Sequence, residues 1–142
     1  MAGEGPKPFN RAMPRYHALP GRGGLNRIAA SAIHSVRGLR EGLLTEAAVK
    51  QEVAIAAVLL PVSLVVAQSI WVWLALVASI LFVLVVEFLN TAVERLCNHV
   101  TPDRNEEIRV TKDLASTAVF FALCLAGLVW LVAIVHRLGL IV

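Results

Sequence analysis

Charge is scarce in this 142-residue sequence: Asp, Glu, Lys and Arg make up only 16% of it. Hydrophobic residues make up 58%, and the mean hydropathy is +0.73. A soluble domain this small would leave much of that apolar surface facing water, so the composition points to lipid and excludes disorder. Cysteine is nearly absent. Cys97 and Cys124 form no close-spaced pair of the kind that binds zinc or does redox chemistry, and ordinary packing accounts for them. Aromatics reach 6% with a single tyrosine, too few for a base-stacking surface, and no nucleic-acid partner is expected. The glycines at 21–24 lack the Lys-Ser or Lys-Thr that completes a phosphate loop, and the protein-kinase motif set is missing as well. There is no internal repeat. The first twenty residues hold no apolar signal-peptide core, so no cleaved targeting segment is expected.

Charge disappears altogether over Val53–Val86, a run of 34 residues, and over Leu114–Val135, a run of 22. About 20 apolar residues cross a hydrocarbon core roughly 30 Å thick. The second run is therefore one span. The first, at about 51 Å of helix, is too long for one span and slightly short for two. Gln68-Ser69 is the turn signal inside it, Pro61 is expected to bend the first helix, and Trp71 and Trp73 mark the far interface. Two spans and a tight hairpin fit if each borrows from its polar flank. The first then begins near Glu46 and the second runs on to about Asn98, which brings carboxylates to the membrane edge.

Twelve of the thirteen Lys and Arg precede the first span or lie between the second and third, or just inside those helix ends. The positive-inside rule places the N-terminus and second loop in the cytoplasm, and the hairpin and C-terminus outside. Residues 1–24, with four prolines and a glycine-rich run, read as a flexible basic extension. From Leu25 to Leu44 apolar residues recur at helical spacing beside Arg27, Arg37 and Arg40, the pattern of an amphipathic helix on an anionic leaflet. The expected fold is thus an all-α integral membrane protein over 25–142. It has a surface helix at 25–45 and spans at about 47–67, 70–98 and 112–136.

Glu87, Asn90, Glu94 and Asn98 fall within an arc of about 80° on the second span, a polar stripe on an apolar helix. Such a stripe cannot face lipid, because each carboxylate at depth costs a few kcal/mol or more. Counted from the hairpin at 1.5 Å per residue, Glu52 and Glu87 lie about 24 and 27 Å in, and Glu46 and Glu94 about 33 and 37 Å. Lys112 and Asp113 come out at about 33–35 Å and Ser116 at roughly 29 Å from the end of the third span. Three spans therefore bring polar groups to two adjoining layers. Carboxylates at the interface suit a hard cation such as Mg²⁺, with phosphate and water completing its shell. A deeper carboxylate suits general-base work on a hydroxyl, and Lys112 can meet phosphate as a point charge. His34 and Ser35 on the surface helix either meet a phosphate or lie on a solvated face.

Three blocks carry a resemblance. Glu46-Ala47-Ala48-Val49-Lys50-Gln51-Glu52, then Val86-Glu87-Phe88-Leu89-Asn90-Thr91-Ala92-Val93-Glu94, then Lys112-Asp113-Leu114-Ala115-Ser116 resemble the signature blocks of the small integral-membrane diacylglycerol kinases of bacteria. The likeness runs from about Asn26 to the C-terminus. It implies a homotrimer in the bacterial inner membrane, each subunit with a surface helix and three spans. It also implies transfer of the γ-phosphate of MgATP to the hydroxyl of diacylglycerol, giving phosphatidic acid in phospholipid recycling. On this resemblance Glu87 is the general base, supported by Asn90, and Glu46 and Glu94 hold Mg²⁺. Lys112, Asp113, Arg27, His34, Ser35, Asp103, Arg104 and Asn105 join Glu46 and Glu94 around the nucleotide. Gln51, Glu52 and Ser116, with Arg27 and Glu87, line the lipid side. The chain departs from the family pattern at Asn98, where aspartate is usual, at His34, where tyrosine is common, and at Ala30, where a basic residue is frequent. The same chemistry on undecaprenol is the nearest alternative. A different class, an ion-conducting or scaffold oligomer, would spread acidic residues along the whole depth of a span or tolerate their neutralisation.

Overall fold

In the computed structural model, which describes residues 24–100 and 105–140, the described residues form helices joined by short breaks. Four helices follow in order: α1 Gly24–Thr45, α2 Ala47–Val66, α3 Ile70–Val100 and α4 Glu106–Arg137. Helices α2, α3 and α4 are each long and apolar enough to cross a membrane. The fold class is that of an all-α protein with three candidate membrane helices, as the charge-free runs imply. The basic extension before residue 24 lies outside the described residues.

The helix boundaries have local causes. Ser69 opens α3: its hydroxyl accepts from the Val72 N–H at 3.3 Å and its carbonyl from that of Trp73 at 3.0 Å, which makes the α2–α3 hairpin tight. Pro61 sits inside α2 without ending it. α4 starts at Glu106, six residues before the expected 112, because Asn105 caps it. The Asn105 Oδ1 accepts from the Glu107 N–H at 2.8 Å and the Ile108 N–H at 3.5 Å. Glu106 and Glu107 add negative charge where the helix dipole favours it.

The chain divides into two units, one ending at Ser35 and one running from Val36 onward. In the first, Arg27, Ile28, Ile33 and His34 are all exposed, so this part of α1 carries apolar and basic side chains together on its surface. In the second, α3 packs against both α2 and α4, more extensively against α4. Leu76, Ile80, Val83 and Glu87 are buried at spacings of four, three and four, and Asn90, Glu94 and Cys97 continue the rhythm at three, four and three. This is the 3.5-residue repeat of helices that cross at a shallow angle. The face that builds the core in its apolar half thus carries the polar stripe in the other. Cys97, rather than Asn98, occupies the last buried position.

Opposite this seam the buried residues of α2, Val49, Ala56 and Ser63, stand seven apart, and those of α4 are Ala122 and Ala133. Small side chains let membrane helices approach closely, where packing replaces the hydrophobic effect. Near the α1–α2 junction Gly42 allows the closest approach: a Cβ there would stand 2.9 Å from Cε1 of Phe88 and 3.3 Å from Cγ1 of Val49. Only glycine lets the Phe88 ring, next to Glu87, settle against α1. At most 28% of the most apolar stretch of any span is buried in one chain. The remaining apolar faces therefore need lipid or further protein against them.

Candidate functional site

The polar half of the α3 seam is the nucleus of the site. Glu87 is 4% exposed, and Asn90 and Glu94, one and two turns on, are half-buried. Asn90 Nδ2 donates to Glu94 Oε1 at 3.3 Å, while the Asn90 Oδ1 is buried with no partner among the described residues. The negative charges of Glu94 and Glu46 both act on Glu87, and that of Glu87 acts on Glu52. The structure therefore gathers four of the sequence-identified carboxylates at the end of the bundle away from the hairpin. Like charges held this close in an apolar setting favour an incoming cation.

Glu46 reaches the cluster through a break in the backbone. Its φ of −106° and ψ of 122° are extended, and they separate α1 from α2. It occupies the N-cap of α2, yet its side chain makes no capping hydrogen bond. Arg95 of α3 draws it away instead. Arg95 Nε donates to Glu46 Oε1 at 2.9 Å, and Nη2 lies 2.8 Å from the same oxygen. The guanidinium also donates to the Thr45 hydroxyl and stands 3.7 Å from Glu41. An ion pair this exposed contributes about 0–1 kcal/mol to stability, so its significance lies in where it holds Glu46.

α4 brings the remaining charges to the same end in pairs of their own. Lys112 Nζ donates to Asn98 Oδ1 at 2.7 Å, linking the start of α4 to the end of α3. Arg109 donates to Glu106 through Nε at 3.0 Å and through Nη2 at 2.5 Å, and to Asp113 through Nη1 at 2.5 Å. Gln51 and Ser116 are exposed, with no contact described between them and the carboxylates. Asn105 has its side-chain oxygen committed to capping α4. Arg27, His34 and Ser35 belong to the unit ending at Ser35, where the Ser35 hydroxyl donates to the Ser31 carbonyl at 3.0 Å. Asp103 and Arg104 lie outside the described residues. Sequence reasoning overlooked Arg95 and Arg109. For Arg109 a signal existed, since acids three residues before and four after it form helical pairs; for Arg95, whose partner is 49 positions away, none did.

Among the described residues no three His, Cys, Asp or Glu side chains form a ready-made metal cage. Mg²⁺ seldom uses one: one or two carboxylates suffice when phosphates and waters complete the octahedron. Glu46, Glu94 and the unpartnered Asn90 Oδ1 are an all-oxygen set that fits such an ion. Beside this polar end a cavity of about 320 Å³ opens between α2, α3 and α4, bounded by Glu52, Ala56, Leu59, Val83, Gly127 and Trp130. Its walls are almost wholly apolar, and Glu52 Oε2 and Trp130 Nε1 are buried with no partner among the described residues. A carboxylate at one end of an apolar cavity suits a molecule with a polar head and a hydrocarbon tail.

Fold and site together define a small α-helical membrane protein whose carboxylates gather at one end of its spans. Residues 33–134 match the family model of the prokaryotic diacylglycerol kinases, and the chain belongs to that family. It is 32% identical over 107 residues to the diacylglycerol kinase of Haemophilus influenzae, covering 75% of this chain and 91% of that protein. It is 30% identical over 124 residues to the diacylglycerol kinase of Escherichia coli strain K12, covering 82% and 95%. Against that of Pseudomonas aeruginosa it is 33% identical over 110 residues, covering 78% and 89%. The chain is therefore a membrane-embedded enzyme of the kinase class. Its fold explains why no phosphate loop is present.

Proposed function

We propose that the protein transfers the γ-phosphate of MgATP to the free hydroxyl of diacylglycerol, releasing ADP and phosphatidic acid for phospholipid recycling. The observation that carries this reading is a buried carboxylate, Glu87, within a carboxylate cluster whose member Glu52 lines an apolar cavity. Glu87 accepts the hydroxyl proton as the lipid oxygen forms its bond to the γ-phosphorus. The bond from that phosphorus to the bridging oxygen breaks, and ADP leaves with the electron pair. Asn90 orients Glu94 through its amide. Mg²⁺ on Glu46 and Glu94 would neutralise phosphate charge, which is most of what phosphoryl transfer needs beyond positioning. Lys112 and Asp113, with Arg27, His34, Ser35, Asp103, Arg104 and Asn105, serve the nucleotide; Arg27, Gln51, Glu52 and Ser116 serve the lipid head. The site faces the cytoplasm, with the C-terminus on the periplasmic side of the inner membrane. The protein works as a homotrimer, which would cover the apolar faces that one chain leaves bare.

The direct test is an acceptor panel. Purified protein in mixed micelles with γ-labelled ATP and Mg²⁺ is expected to label diacylglycerol in preference to undecaprenol or ceramide. Labelling of undecaprenol instead would change the acceptor and keep the chemistry, and labelling of none would overturn the proposal. The cavity gives a second expectation. A Cβ at Gly127 would meet nothing within 4 Å, so a side chain there has room to extend along the cavity wall. Gly127→Leu is expected to lower kcat/KM for a long-chain diacylglycerol by about ten-fold, the loss of roughly two methylenes' burial. Turnover on a short-chain acceptor should change little.

A further inference from the structure

Arg95 has no place in the proposed chemistry, yet it makes the most elaborate side-chain contacts around Glu46. Two of its nitrogens converge on one carboxylate oxygen, Oε1. The Thr45 hydroxyl, which also accepts from Arg95, stands 3.3 Å from that same oxygen. Every contact described for the Glu46 carboxyl thus falls on Oε1, and Oε2 is left without a partner among the described residues. The side chain could have capped α2, as N-cap residues commonly do. Arg95 holds it off the helix end instead, from a position one residue beyond Glu94 on α3.

We propose that Arg95 is a positioning residue for the metal-nucleotide site: its guanidinium clamps Glu46 by Oε1 so that Oε2 is presented to the divalent cation carried by the nucleotide. The inference rests on the reading of Glu46 as a metal ligand. Groups that hold a ligating carboxylate in place typically set metal affinity or activity by about 10–100-fold. The fork geometry is what matters. A lysine keeps the charge but cannot aim two N–H groups at one oxygen from a planar frame.

The test is equilibrium binding of Mn²⁺ by electron paramagnetic resonance, with a non-hydrolysable ATP analogue and no turnover. It compares the full-length trimer or native oligomer with its Arg95→Gln and Arg95→Lys variants. Arg95→Gln is expected to weaken Mn²⁺ binding by about ten-fold or more, and Arg95→Lys to recover only part of the loss. In kinetics the same variants should raise KM for the metal-nucleotide and leave kcat nearly unchanged. Unchanged or tighter Mn²⁺ binding in Arg95→Gln would overturn the proposal, as would full recovery by lysine, which would make Arg95 a mere charge. Failure of the unsubstituted protein to bind Mn²⁺ with the analogue would instead overturn the assignment of Glu46. The circular dichroism melting curve of each variant is recorded alongside. Arg95 is exposed, so an Arg95→Lys protein that binds normally while Arg95→Gln has unfolded counts against the clamp.

Discussion

Glu87→Gln is expected to lower phosphoryl transfer by about three orders of magnitude, within the range that a general base contributes. The substitution keeps the volume of a side chain buried in the α3 seam and removes its negative charge, and with it the ability to take a proton. Stability gives the deciding second readout. A buried carboxylate facing Glu94, Glu46 and Glu52 is an electrostatic liability when no cation balances it. Neutralising it should leave the melting temperature of the metal-free protein unchanged or higher. A residue that served only to hold the helices together would behave in the opposite way, losing stability and activity in step. Retained turnover in Glu87→Gln would remove this residue from the chemistry, whatever the variant's stability.

Glu94→Gln should separate binding from chemistry. Glu94 lies two turns further along α3, less buried than Glu87, and accepts from Asn90. Losing a carboxylate from a pair that holds Mg²⁺ is expected to raise KM for the metal-nucleotide on the order of 100-fold, while kcat at saturating nucleotide falls far less. Raising the Mg²⁺ concentration should restore part of the activity. The measurement is a matrix of rates over nucleotide and free Mg²⁺. If kcat collapses at every Mg²⁺ concentration with KM unmoved, Glu94 is no metal ligand.

The spans were legible in the sequence because exclusion of charge from hydrocarbon is a strong, local rule, obeyed without exception over Val53–Val86 and Leu114–Val135. The hairpin at Gln68-Ser69 was legible for a related reason, as the only pair of adjacent polar residues in a run too long for one crossing. The stripe Glu87–Asn90–Glu94 followed from helical geometry, and its burial from the cost of placing carboxylates in lipid. Its last member was misplaced. Asn98 is polar and fits the arc, but the packing repeat is 3.5 residues, which brings Cys97 to the buried face and turns Asn98 toward Lys112. The early start of α4 was available in principle, since Asn105 followed by two glutamates is a helix-opening pattern. Arg95 was not available at all. Its role depends on a partner 49 residues away, on another helix, across a backbone break that no periodicity announces.

The α3 seam has a consequence for how this chain tolerates change. Packing and chemistry share a single helical face, with Leu76, Ile80 and Val83 on one half and Glu87, Asn90 and Glu94 on the other. Substituting one residue disturbs one point of that line. Inserting one between Val83 and Glu87 turns everything beyond it by about 100°, sending the carboxylates out toward oil while the outer half of the bundle stays correctly assembled. Gaps along this helix are therefore far costlier than exchanges, and its length is as much a part of the catalyst as its composition.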